Sequence, residues 1–524
     1  MKRQLLYVIM LCSFFAAPAQ EQEEGGQKVK ISGSVQSDML VPMRDDAIGA
    51  EKTEDFQTNT YADVMLQSKW VDAGLRFEYL DHPLPGFEKD FKGWGVPNFW
   101  VKGRYKGAEL TLGTFYEQFG LGLILRTYEE RSLGIDNSLL GARLVVRPTK
   151  GVTIKALSGR QRRYWSWNKG LVSGVDAEIN INEWIPALRN RGTELMIGGS
   201  WVNKYEKQED IFVDPTHKLN LPEYVNAWDV RASLNTGPWS IHAEYAQKTQ
   251  DPSFDNNYSY QKGTAAVLSG SYANNGLSIL LQAKRSENMS FRSRRSMIGT
   301  SSFINHLPAF TQDQTYALAA LYPYATQLAG GEWAYQAEVG YNFKRKTKLG
   351  GKYGMNVKLN FSHVRWKGET FYQDIDVTLT RKLSPSVKLA LMYMNQRYNM
   401  TIVEGHGGMV RSNIFIADAK FQLSKKTSLR TELQYLSTPD DKGDWLYGLA
   451  EFSLAPHWMF TVSDMYNVGE TDIHYYHGDV TFSIAAHRVQ LGFGRTRAGY
   501  NCSGGVCRYV PASRGFTLSY NYTF

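Results

Sequence analysis

Cysteine is scarce: the chain of 524 residues has three. Cys12 lies in an N-terminal apolar run, which leaves Cys502 and Cys507 for the body of the protein. In an exported chain such a close pair reads as a disulfide closing a small loop. Two thiols with no neighbouring His or further Cys cannot complete a zinc site. Past the N-terminus there is no run of roughly 18 apolar residues, so no transmembrane helix is expected. No Pro- or Ser-rich linker and no shift in composition follows Lys28, which favours one continuous architecture. The net charge of +8 is modest, and Lys2 and Arg3 supply two of it. The remaining basic runs, Lys344-Arg345-Lys346 and Lys425-Lys426, fall at predicted turns, so nothing points to nucleic acid. The sequence has no G-x-S-x-G elbow, no H-E-x-x-H and no phosphate loop, and no enzyme or cofactor is expected. His474 and His477 are three apart on a predicted strand, so they point to opposite faces. Asp440, Asp441 and Asp444 lack EF-hand spacing and read as a solvated turn. His406 falls in a glycine-rich loop, Glu404–Gly408, expected to be exposed.

What is present begins with a leader. Lys2-Arg3, an apolar stretch from Leu5 to Ala17 and Ala17-Pro18-Ala19 predict a signal peptide over 1–19. A bulky Leu11 before Cys12 argues against a lipoprotein. Residues 20–27 would form a short periplasmic segment, and 28–524 the folded body. From Lys28 onward the dominant signal is alternation of apolar and polar residues in segments of roughly ten, the length of a tilted membrane strand. Leu75, Phe77 and Tyr79 oppose Arg76 and Glu78, and Leu429, Leu433 and Tyr435 oppose Arg430, Glu432 and Gln434. Short turns such as Asn274-Asn275-Gly276 alternate with long connections such as Pro42–Thr58, His82–Gly95, Lys204–Tyr224 and Met289–Glu332. Two connections, Ile181–Gly192 and Phe343–Lys352, are long on the side otherwise made of short turns. The last strand carries Phe516, Leu518, Tyr520, Tyr522 and Phe524 on one face. A terminal strand ending in Phe resembles bacterial outer-membrane proteins, where it is the signal for the insertion machinery. The expectation is an all-β transmembrane antiparallel barrel of about 24 strands (range about 20–26), with N- and C-termini periplasmic.

The stretch FYEQFGLGLILRTYEERSLGIDNSLLGARL (Phe115–Leu144) breaks the alternation, and so does INHLPAFTQDQTYALAALYPYATQ (Ile304–Gln327). Both resemble segments of large, uncharacterised outer-membrane β-barrel proteins of the Bacteroidota, a resemblance that implies location and fold and carries over no site residues. A barrel this wide would leak if left empty, so a plug is physically expected. Phe119–Asn137 is assigned to the lumen, whereas Met289–Glu332 fits either a lumenal plug or an external cap. Candidates for the pore constriction are Glu117, Arg126, Glu129, Glu130, Arg131 and Asp136, with the arginines near Glu129 and Glu130. Lumen-lining candidates are Arg76, Glu78, His242, Glu244, Arg430, Glu432, Arg488 and Gln490. The expected function is a porin-like or gated channel for solutes. The alternative is a non-enzymatic accessory barrel of a larger assembly for secretion, protein insertion or nutrient uptake. Expected partners are outer-membrane lipid, the insertion machinery and proteins at the external loops.

Overall fold

The computed structural model describes residues 21–24, 27–212 and 214–524, so the expected leader over 1–19 lies outside the described residues. The body is a closed antiparallel barrel of 24 strands. They run β1 (Gln27–Pro42), β2 (Gln57–Gln67), β3 (Val71–Leu80), β4 (Gly93–Tyr105), β5 (Ala108–Phe115) and β6 (Leu139–Val146). Next come β7 (Val152–Arg163), β8 (Leu171–Asn180), β9 (Thr193–Tyr205), β10 (Tyr224–Thr236), β11 (Trp239–Lys248) and β12 (Gly263–Asn274). The second half begins with β13 (Leu277–Glu287), β14 (Glu332–Phe343), β15 (Met355–Trp366), β16 (Glu369–Ser384), β17 (Val387–Asn399) and β18 (Met409–Gln422). It ends with β19 (Thr427–Ser437), β20 (Trp445–Leu454), β21 (Trp458–Asn467), β22 (His474–Ile484), β23 (His487–Thr496) and β24 (Ser513–Thr523).

Each strand pairs with its neighbours in sequence, and β1 closes the ring on β24 from Ser34↔Thr523 to Pro42↔Gly515. Closure removes the open edges that would otherwise template aggregation. At the join, Phe524 exchanges both backbone hydrogen bonds with Gly33 at 3.0 Å. A Cβ on Gly33 would run into the Phe524 ring, so the closing seam needs glycine there.

The period-two pattern sorts side chains as the sequence implies. In β19, Leu433 is 68 % exposed and Gln434 3 %. Outward positions such as Leu75, Val101, Leu268, Leu281, Val462 and Leu491 form an exposed apolar band. Exposed aromatics mark both rims: Trp94, Tyr224 and Trp333 at one, Tyr105, Trp239 and Trp458 at the other. An apolar belt between aromatic girdles is the surface a bilayer requires of a barrel. Among the described residues no helix is long and apolar enough to cross a membrane.

The connections fall into two classes, one at each rim. The first rim carries the long ones, 43–56, 81–92, 116–138, 206–223, 249–262, 288–331 and 497–512; the second carries tight turns such as 106–107, 237–238, 275–276 and 485–486. The exceptions on the tight side are 181–192, which includes a short helix (Pro186–Asn190), and 344–354. One two-residue turn, Lys367-Gly368, sits on the long-loop rim, a departure from strict alternation. Strand β1 starts and β24 ends at the tight-turn rim.

Candidate functional site

The lumen is occupied by three pieces of the long connections. The first, 116–138, leaves β5 and turns inward. Phe119 N–H donates to the Leu125 carbonyl (3.0 Å) and Thr127 N–H to that of Glu117 (2.9 Å), making a small apolar hairpin loop. Its tip needs glycine: Gly120 has φ of 52°, and a Cβ there would stand 2.5 Å from the Glu244 carboxylate. Glu244 in turn accepts the Leu121 N–H at 2.9 Å. Phe119, Leu123, Ile124 and Leu125 are completely buried.

Charged side chains tie this segment to the wall. Arg76 of β3 binds Asp63 of β2 at 2.6 Å and Glu129 at 2.6 and 3.0 Å. Arg131 reaches Glu129 (2.9 Å), Asp63 (3.0 Å) and Gln36 (3.0 Å) and lies over the Tyr61 ring. Arg162 of β7 holds Glu78 (2.6 and 2.9 Å) and Asp136 (2.6 Å), with all three buried or nearly so. Glu117 pairs with Arg143 and with Lys155 (3.2 Å). Removing one partner of the buried Arg162, Glu78 and Asp136 set costs about 3–5 kcal/mol, because the remaining charge is stranded.

The second piece, 288–331, leaves β13 and fills the rest of the lumen. Two backbone bonds join it to the first: Arg126 N–H donates to the Ile304 carbonyl (2.8 Å) and His306 N–H to that of Gly122 (3.0 Å). Asn305 adds its side-chain amide to the Leu123 carbonyl at 3.0 Å. Met289, Phe291, Ile304, Leu307, Phe310 and Leu318 merge with Phe119 and Leu123–Leu125 into one apolar cluster. On the near wall Lys284 and Glu332, both fully buried, pair at 2.6 Å. On the far wall Leu318 N–H donates to Gln434 (2.8 Å) and Gln396 to the Tyr322 carbonyl (3.1 Å), and the Tyr322 hydroxyl donates to Asp441 (2.8 Å) in the turn between β19 and β20. The segment 288–331 thus packs on inward-facing strand residues such as Lys284, Gln396 and Gln434, and its first part also packs on neighbouring connections, through Arg295 on Glu206 and Arg292 on Asp255.

The third piece carries no local sequence signal of turning inward. Gly499–Ser503 and Val506–Val510 form a hairpin crosslinked by Cys502 and Cys507. Thr326 N–H donates to the Gly505 carbonyl (2.9 Å), and Arg508 bonds the Ser132 carbonyl (2.9 Å) while lying over Phe87.

Of the residues expected at a constriction, the structure gathers Glu129, Arg131 and Asp136 with Arg76 and Glu78 into one network. It separates Arg126 and Glu130 from it. Arg126 stacks on Tyr128 at 4.8 Å and forms no ion pair among the described residues, and Glu130 bonds only Ser132 nearby. Glu130 diverges from Glu129 because the short Glu129–Glu130/Ile135–Asp136 hairpin sends neighbours to opposite faces. His242 and Glu244 face the lumen at the loop tip, 3.4 Å apart. Arg430 pairs with Asp418 (3.0 Å) and with Glu432. Arg488, close to the tight-turn rim, is exposed, and Gln490 donates to Asp479 at 3.0 Å. The lumen is filled toward the long-loop rim and lined with water-accessible charges toward the other. The acidic turn is no free solvated loop: besides Asp441 on Tyr322, Asp440 accepts the Arg411 N–H (3.0 Å) and Asp444 that of Thr438 (2.9 Å). The partners that composition alone could not single out are Asp63, Arg143, Lys155 and Arg162. Their signal is a charge at an inward register position.

A family model described as "Family of unknown function (DUF6029)" matches residues 1–524, and the chain belongs to that family. No curated protein matches it. Among solved structures it is similar to the Escherichia coli P pilus tip assembly intermediate PapC-PapD-PapK-PapG, at 12% identity and a TM-score of 0.50, covering 97% of this chain and 62% of that one. It is also similar to the P pilus usher PapC translocation pore (11% identity, 94% and 99% coverage, TM-score 0.44). A third similarity is to the outer membrane protein OpdK of Pseudomonas aeruginosa (13% identity, 77% and 99% coverage, TM-score 0.39). At such identities the likeness is one of barrel fold.

Proposed function

We propose that this chain, one of a family whose function is unknown, is a gated channel of the Gram-negative outer membrane. In this reading residues 1–19 direct export, both termini face the periplasm, and the Phe524 strand is read by the insertion machinery. The observation that carries the gating is the single apolar core shared by 116–138 and 288–331 across the lumen. An open porin has no use for a core there. A barrel that must close and open does, because the seal can be parted without disturbing the hydrogen-bonded wall.

Planar-bilayer conductance tests it. The wild type should be silent or open rarely. A variant with 305–325 replaced by a short Gly-Ser linker should conduct steadily, since the apolar plug goes and strands β13 and β14 remain joined. If the shortened barrel inserts and stays silent, the channel reading fails and the accessory-barrel alternative takes its place.

A further inference from the structure

We propose that the tight-turn mouth of the lumen binds a multivalent anion, which assigns a solute class to the channel and rests on that reading. The observation that carries it is a row of lysines. Lys382 of β16 stands opposite Lys388 of β17, and Lys388 opposite Lys420 of β18. Their register positions share the inward face with Asp376, Met392 and Ile416, which are buried, whereas Val377, Leu391 and Phe415 on the other face are exposed. All three lysines are exposed, as the water-accessible part of the lumen allows. None has an ion-pair partner among the described residues. Carboxylates on the same wall are committed elsewhere, Asp418 to Arg430 (3.0 Å) and Glu338 to Lys358 (2.6 Å).

Like charges directly opposite one another on neighbouring strands are destabilising, and a bound counter-charge removes that repulsion. With strands about 4.8 Å apart, the row spans about 10 Å. A single carboxylate is too short for that span, but a molecule carrying several phosphate or carboxylate groups reaches all three ammonium groups. The row is continued by a cavity of about 420 Å³ where 344–354 meets β16. Lys344, Arg345 and Lys382 line it together with Asn342, Asn356 and Thr380, and it has no carboxylate. Asn356 donates its amide to the Asn342 oxygen at 2.9 Å, which leaves the exposed Asn342 N–H groups for a ligand. Lys346, Lys348, Lys425 and Lys426 stand exposed on the adjoining connections. A mouth lined by one sign of charge raises the local concentration of its counter-ion. The inward face keeps the row away from membrane head groups, so the competing occupant is an acidic protein segment.

Isothermal titration calorimetry on the detergent-solubilised full-length protein tests the site without conductance. The probes are inorganic tripolyphosphate and citrate, with acetate as the singly charged contrast and hexaglutamate as the protein contrast. In about 0.15 M salt, where exposed charges beyond about 8 Å are screened, tripolyphosphate or citrate should bind with a Kd below about 1 mM. Acetate should bind at least about tenfold more weakly. Preference for tripolyphosphate would mark a phosphate-bearing solute, and preference for citrate a carboxylate. Lys382→Gln with Lys388→Gln and Lys420→Gln should weaken binding at least about tenfold. The fold should be as stable or more so, because the opposed charges are gone, and the heat-dependent gel shift of a folded barrel confirms it. The same change at Lys69, Lys106 and Lys150, exposed on other turns of this rim, should alter binding less than about twofold. No binding by either multivalent anion overturns the proposal, as does equal weakening by the two triple variants. Binding of hexaglutamate and of neither small anion overturns it in favour of a protein segment. In the barrel with 305–325 replaced, the reversal potential should favour anions, and the Lys382, Lys388 and Lys420 substitutions should shift it toward cations. If that barrel is silent while the anions bind, the channel reading fails and the site stands. If it conducts but neither binds nor selects anions, the site fails and the channel stands.

Discussion

Replacing Ile124 by Ala tests whether the lumen is held shut by the apolar interlock or by the surrounding ion pairs. Ile124 is fully buried in the cluster that joins the two inward segments. Truncating a buried Ile to Ala costs about 2–5 kcal/mol in lost transfer energy and residual cavity. The wall does not share that cost, because the strands keep every ladder bond. The penalty should thus fall on local opening of the seal, which amide hydrogen exchange reads directly. The reporting amides are Arg126 N–H and His306 N–H, the two that bridge the segments. At about 2 kcal/mol their exchange should rise roughly 30-fold, and at about 5 kcal/mol roughly 4,000-fold. Peptides covering 118–128 and 302–308 should show the change in mass-spectrometric exchange, while β1, β2 and β24 stay protected. A rise below about threefold at both amides, with the strands still protected, would refute the reasoning. Closure would then have to be credited to Arg76, Arg131 and Arg162.

In an opened barrel, Arg126→Ser should shift the reversal potential toward cation selectivity with little loss of stability, since among the described residues the Arg126 guanidinium stacks on the Tyr128 ring and forms no ion pair. Arg131→Ser should shift it the same way and also lower stability by about 1–3 kcal/mol, because Asp63 and Glu129 lose a shared partner; unchanged potentials in both would remove these residues from the path. His306 is buried beside Arg126 and Lys284, and burial, followed by those two charges, lowers its pKa from 6.5 to about 3. A depressed base favours the closed form while neutral, so seal stability should be complete above about pH 6.5 and fall by up to about 1.4 kcal/mol per unit below it. Channel opening should therefore increase on acidification, and His306→Gln should flatten that response. Replacing Cys502 and Cys507 by Ser should loosen the hairpin by about 2 kcal/mol, the chain-entropy value for so small a loop, and expose the Thr326 amide to exchange in proportion.

The barrel was legible because its information is local. Alternation along Leu429–Tyr435 is enough to place Leu433 outside and Gln434 inside, and turn residues such as Asn275-Gly276 mark the tight rim. The plug was legible in part, because Gly120, Gly122 and the apolar run between them interrupt that alternation. Who pairs with whom was not legible. Arg131 meets Asp63 and Gln36, and Arg162 meets Glu78, across 68, 95 and 84 residues of chain. No spacing rule reaches that far. Local reading also sets Arg126 beside Glu129 and Glu130, whereas Arg126 lies outside the small hairpin and stacks on Tyr128. From sequence alone the segment around Cys502 and Cys507 is a small loop closed on itself, because its contacts with Thr326 and Ser132 lie in other parts of the chain.

Two backbone bonds join the inward segments, one at Arg126 and Ile304 and one at Gly122 and His306. One segment is anchored between β5 and β6, the other between β13 and β14, so each can retreat only toward its own wall. On the proposed gating, parting them would open a slot between two walls and not a round hole. A slot sieves by thickness: an extended or planar molecule passes edgewise where a compact one of equal mass is stopped. Shape would then be screened before charge is felt.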